Sequence, residues 1–152
     1  MRITVAAVGR MKAGPEQTLA GHFQSRITWP VEIREVEEKK KLPAAALKNR
    51  EGELLLAACP RGATIVALDE RGTCLTSRAF AKRLGGWRDD GLADVAFIIG
   101  GADGLAKDVL AGAALTLSLG SLTWPHMLAR GMLLEQIYRA QQILAGHPYH
   151  RD

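Results

Sequence analysis

The stretch Asp94-Val-Ala-Phe-Ile-Ile-Gly-Gly-Ala-Asp-Gly-Leu105 runs an apolar segment directly into a glycine cluster. A short apolar run bounded by glycine is the pattern of a strand buried on both faces. Asp94 to Ile99 is therefore predicted as a strand, with Gly100, Gly101 and Gly104 in the loop at its carboxyl end. Similar runs lie on either side. Ile3 to Val8 closes at Gly9, and Thr64 to Leu68 closes at Asp69-Glu-Arg-Gly72, which has turn composition. Leu115 to Leu119 is a further run, and Val31 to Val36 alternates imperfectly, as a partly exposed strand does. Helices are predicted between the strands. Pro15 opens one towards Arg26 from a first-turn position, and Ala44 to Ala58 is rich in Ala, Leu and Glu. Ser77 reads as the N-cap of a helix to about Trp87; two more cover Lys107 to Ala113 and His126 to Leu144. Strands alternating with helices predict an α/β domain with a largely parallel sheet.

A chain of 152 residues, 47% hydrophobic and 24% charged, suits one globular domain over 1–152. Such a domain buries roughly 70% of the surface its unfolded chain would expose. No internal repeat, low-complexity tract or linker divides it. The apolar run near Met1 is about six residues, too short for a signal peptide, and none reaches the ~18–20 that cross a bilayer. A cytoplasmic, non-membrane protein is expected. Cys59 and Cys74 lack C-x-x-C or Cys/His spacing, so neither a metal site nor a disulfide framework is expected. The formal charge of +4 suits a polyanionic partner, because Lys and Arg displace counterions from a phosphate backbone. The charge alone is a weak signal.

In an open parallel sheet, ligands bind outside the carboxyl ends of the strands. Three such ends are candidate pocket walls: Leu68 to Gly72, Gly100 to Leu105, and Gly120 to Pro125. Glycines at 100, 101 and 104 let backbone approach a ligand, and serve equally well as a plain turn. Ile99 stands where a G-x-G-x-x-G would need glycine, and Gly104-Leu-Ala lacks the Gly-Lys-Ser/Thr of a P-loop. A dinucleotide or ATP site is disfavoured. Trp124-Pro125 is either a helix start or a flat apolar wall for an adenine ring. Gly146-His-Pro-Tyr-His-Arg-Asp152 places two imidazoles, a phenol and a guanidinium close together. It is a frayed polar tail or a stacking and phosphate-binding surface for a splayed-out RNA base.

Together, Ile99-Gly-Gly-Ala-Asp-Gly-Leu105, Leu117-Ser-Leu, Leu122-Thr-Trp-Pro-His-Met-Leu-Ala-Arg130, Glu135-Gln-Ile-Tyr-Arg-Ala140 and His147-Pro-Tyr-His-Arg151 resemble the bacterial 23S rRNA pseudouridine N3-methyltransferases. The likeness spans the whole chain. It implies the SPOUT fold, a parallel sheet flanked by helices with a C-terminal trefoil knot, a topology that general rules disfavour. It implies S-adenosyl-L-methionine as cofactor, held by Leu68, Gly100, Gly101, Gly120, Ser121, Leu122, Thr123, Trp124 and Pro125. Trp124 stands where the family often carries an aliphatic residue. A homodimer is implied, the tail of one subunit completing the site of the other, with 23S rRNA in the assembled 70S ribosome as substrate.

Within that resemblance His150 is the first candidate for base or proton relay, equally readable as a stacking group. Arg151 would anchor phosphate or stabilise an anionic base, and Tyr149 would stack. His126 is expected to be structural. Glu135 reads as a surface carboxylate or a group at the dimer seam, and Lys39, Lys40 and Lys41 as a solvated loop. Two alternatives are another knotted methyltransferase, acting on tRNA or a ribose 2'-hydroxyl, and a non-catalytic ribosome-associated RNA-binding protein.

Overall fold

The computed structural model describes residues 1–152. Its strands are β1 (Arg2–Val8), β2 (Val31–Val36), β3 (Thr64–Cys74), β4 (Asp94–Ile99) and β5 (Leu115–Ser118). The helices are α1 (Pro15–Gln24), α2 (Ala44–Ala58), α3 (Ser77–Asp89), α4 (Lys107–Ala111) and α5 (His126–Leu144). All strand pairs are parallel, in the order β2-β1-β4-β3-β5. β4 lies centrally with Val95 to Ile99 buried, which is why its sequence is continuously apolar rather than alternating. β2 is an edge strand, and its half-buried pattern accounts for the imperfect alternation.

Helices cover both faces of the sheet. One core cluster joins Ile3, Val5, Val66, Phe97 and Ile99 to Ala20, Phe80, Leu84, Leu133, Leu134 and Ile137 from α1, α3 and α5. A smaller cluster on the opposite face joins Ala6, Ala67 and Ile98 to Leu55 of α2 and Val109 of α4. No helix is long and apolar enough to cross a membrane.

Two local expectations are corrected. The cap of α3 is Thr76, not Ser77: its hydroxyl accepts from the Ala79 N–H at 3.1 Å, while the Ser77 hydroxyl donates to Gln136 on α5. Ser and Thr both cap well, so composition does not choose between neighbours. Asp69 to Gly72 does not end β3. Leu68 and Thr73 both pair with Leu117, so the four residues between them bulge outward before the strand resumes beside β5. Glycine is required at 72, where a Cβ would lie 2.6 Å from the Thr116 carbonyl oxygen.

Candidate functional site

The carboxyl ends of β4 and β5 and the bulge within β3 border a cavity of about 510 Å³. Its walls are Leu68 and the bulge Asp69 to Arg71, then Ile99 to Gly104, then Leu117, Leu119, Gly120 and Leu122 to Trp124, with Lys48 of α2 and His126 and Ala129 of α5 at the margins. Of the nine residues expected to hold a cofactor, Leu68, Gly100, Gly101, Gly120, Leu122, Thr123 and Trp124 line it. Ser121 and Pro125 do not; Pro125 is the N-cap residue of α5. His126, expected to be structural, borders the cavity.

The glycine loop is narrow for a steric reason. A Cβ on Gly100 would meet the Gly104 carbonyl oxygen at 2.8 Å, and Gly104 itself has φ +79°. Gly101 and Gly104 form an isolated antiparallel bridge, closing the turn on itself. The opposite wall is tied to the β3 bulge. The Ser118 hydroxyl lies 3.1 Å from the Glu70 carbonyl and 2.9 Å from that of Gly120, and the Thr123 hydroxyl donates to the Glu70 carboxylate at 3.2 Å. Asp69 is held below the usual carboxylate range by the Arg71 guanidinium, against its own partial burial. Leu122 and Trp124 remain 68% and 39% exposed. Large apolar side chains left uncovered at a cavity mouth mark a place where an apolar ligand or partner sits.

Behind the cavity, α5 is locked to the ends of β1 and β2. Arg130, 1% exposed, donates to Glu35 at 2.7 Å and to the Gly9 carbonyl at 3.2 Å, and its Nε has no partner. Glu35 also accepts from the Met11 N–H at 2.6 Å. Sequence patterning gives no warning of this buried cation, which follows Leu-Ala in an ordinary helical stretch.

The C-terminal segment is packed rather than frayed. Tyr149 meets Tyr138 edge-to-face at 4.8 Å, lies beneath the Arg139 guanidinium at 4.8 Å, and donates its hydroxyl to Glu135 at 3.0 Å. Burial first, and then that carboxylate, raise the Tyr149 phenol above its ordinary value, so it stays protonated at neutral pH. Arginine has no acceptor, so the 3.2 Å contact between Arg139 and His150 Nδ1 makes Nδ1 the acceptor and places the ring proton on Nε2, which faces Asp152 at 3.2 Å. Asp152 is also paired with Arg78 of α3. Arg151 is exposed. Glu135, bonded to Arg139, Tyr149 and Gln136, is thus the hub of the tail, a role that sequence alone left between surface and seam. None of Tyr149, His150 and Arg151 lines the cavity of its own chain.

A family model described as "Predicted SPOUT methyltransferase" matches residues 1–150. The chain belongs to the SPOUT methyltransferase family. Among curated SPOUT relatives, "Ribosomal RNA large subunit methyltransferase H" of Rhodospirillum centenum is 60% identical over 151 residues, covering 99% of both chains. The protein of the same name from Paramagnetospirillum magneticum is 56% identical, again covering 99% of both. That of Rhodospirillum rubrum is 50% identical and covers 100% of each. Among solved structures, a probable methylase family protein from Haemophilus influenzae Rd KW20 aligns with a TM-score of 0.59 at 11% identity, covering 99% of this chain and 70% of that one. The SpoU methyltransferase AviRb from Streptomyces viridochromogenes aligns at 0.50 and 14% identity, covering 96% and 61%. At such identities the structural likeness speaks for the fold alone.

Proposed function

We propose that the protein transfers a methyl group from S-adenosyl-L-methionine to N3 of a pseudouridine in 23S rRNA, acting on the assembled ribosome as a homodimer in the cytoplasm. The names of its relatives support a large-subunit rRNA target, and a net charge of +4 suits a polyanion. The observation that carries the cofactor assignment is the exposure of Leu122 and Trp124 at the mouth of the cavity between the Gly100–Gly104 turn and the Gly120–Thr123 wall. Apolar side chains and open backbone suit an adenine ring, and the carboxylates of Glu70 and Asp103, beside the Asp69–Arg71 pair and Lys48, suit a ligand that carries both charges. When bound, the cofactor supplies an electrophilic methyl on a sulfonium. The trefoil knot belongs to the same proposal, the segment from β5 to α5 threading beside the β3 bulge.

The chain's own residues would orient the base and move one proton. N3 of the pseudouridine gains the methyl and loses its proton, so an acceptor must stand near it. His150 can accept at Nδ1 once Arg139 turns away, and Arg139 or the exposed Arg151 would pair with RNA phosphate. Tyr149, neutral, would offer its ring for stacking. Since the tail lies outside its own chain's cavity, both halves of the site can meet only through movement of the tail or through a second chain. The dimer supplies the second.

Mixing two inactive chains tests the composite site. A Gly100→Ala chain and a chain lacking residues 147–152, each checked for folding by circular dichroism, are mixed with 70S ribosomes and labelled S-adenosyl-L-methionine. Label transfer is expected to return in the mixture, since one site per mixed dimer regains an intact cavity and an intact tail. A mixture as inactive as its parts would contradict the composite site, and label entering tRNA alone would contradict the substrate.

A further inference from the structure

Glu51 lies on α2, one turn after Lys48, which lines the cavity. It is 7% exposed and points at the glycine loop. A Cβ built on Gly101 would meet its Oε2 at 3.0 Å and its Oε1 at 3.3 Å, with Val8 Cγ1 at 3.1 Å. The carboxylate thus occupies the space that glycine leaves open at 101, beside a residue that lines the cavity. Burial, and then the nearby Asp103, raise its pKa, and no hydrogen bond opposes them. Three other partly enclosed acidic groups have cationic partners: Glu35 has Arg130, Asp69 has Arg71, and Glu38 has Arg50. The residue is largely enclosed while its oxygens keep some contact with solvent, so the carboxylate has accepting capacity that no protein donor uses.

We infer that Glu51 is a ligand-binding residue, reaching past Gly101 to accept a hydrogen bond from an N–H or O–H donor of the molecule in the cavity. The inference rests on the cofactor assignment above. Its chemistry fits the donors of S-adenosyl-L-methionine: the ribose hydroxyls, the adenine N6 amine and the α-ammonium. It also gives glycine at 101 a second reason: any side chain there would shut the carboxylate off from the ligand.

Glu51→Gln keeps the shape and removes the charge, so binding should weaken while stability does not. By calorimetry at pH 7.5, the variant is expected to bind S-adenosyl-L-methionine about tenfold more weakly or worse, the scale of a lost charge-assisted hydrogen bond. Its melting temperature without ligand should hold, because the carboxylate has no protein hydrogen bond to lose. 5'-Methylthioadenosine separates the donors: an equal loss of its affinity places the contact on the adenosine portion, and a loss confined to S-adenosyl-L-methionine places it on the ammonium. Unchanged affinity in a variant whose parent binds would overturn the role of Glu51 while leaving the cavity assignment standing. Failure of the parent chain itself to bind would overturn both. A lower melting temperature with unaltered affinity would make Glu51 a packing residue and overturn the inference.

Discussion

Arg130 shows how one residue couples the core to the site. Its guanidinium is enclosed, its partner Glu35 is about one-third exposed, and the pair joins α5 to the ends of β1 and β2 beside the cavity margin. Removing the cation leaves Glu35 and the Gly9 carbonyl short of a donor, so Arg130→Ala should cost about 3 kcal/mol in urea unfolding. The pH dependence has a definite sign. Burial alone would raise the Glu35 carboxyl, but the Met11 amide and Arg130 outweigh it and hold its pKa below the ordinary value. A depressed native pKa gives stability that is present above the unfolded value of about 4.3 and lost as pH falls below it. Glu35→Gln should therefore be less stable than the parent at pH 7, with the gap narrowing from about pH 5 downward in pH-dependent melts; a gap that widens on acidification would contradict the pairing. Arg130 and Glu51 are also the residues least legible in the sequence. Each is a charged residue in a helical stretch whose ordinary fate is solvent, and only the packing of α5 and α2 against strand ends buries it.

At the scale of elements the sequence was more readable, because each signal is local. The glycine after Ile99 and the Pro at the start of α1 mark boundaries through backbone geometry, and the observed β4, α2 and α5 begin and end where apolar patterning places them. Where a boundary depends on a side chain's choice of partner, local signals fail, as at Thr76 and Ser77. Thr76→Ala should cost about 1 kcal/mol, a fall of roughly 2–4 °C in the melting temperature, by loss of the hydroxyl acceptor for the Ala79 N–H. Ser77→Ala removes a bond to Gln136 rather than a cap, and should leave helix content by circular dichroism unchanged. The β3 bulge was misread as a strand end for a different reason: turn composition signals departure from a ladder, while resumption of pairing with β5 is a long-range event.

For the molecule as a whole, alternating elements made the parallel sheet and the position of the cavity legible, since ligand sites follow from where parallel strands end. The quoted motifs carried the family. What stayed out of reach was the docking of the tail, because Tyr149 finds Tyr138, Glu135 and Arg139 only once α5 has formed and the chain has turned back after Gly146. The separation of tail and cavity within one chain is the fact on which the composite site turns. The most direct test of the central claim is nucleoside analysis of 23S rRNA by mass spectrometry after incubating unmodified 70S ribosomes with the protein and S-adenosyl-L-methionine. One new methyl group per ribosome is expected, on N3 of a pseudouridine, and none when residues 147–152 are deleted. Methylation of a ribose, of another base or of tRNA in its place would contradict the central claim.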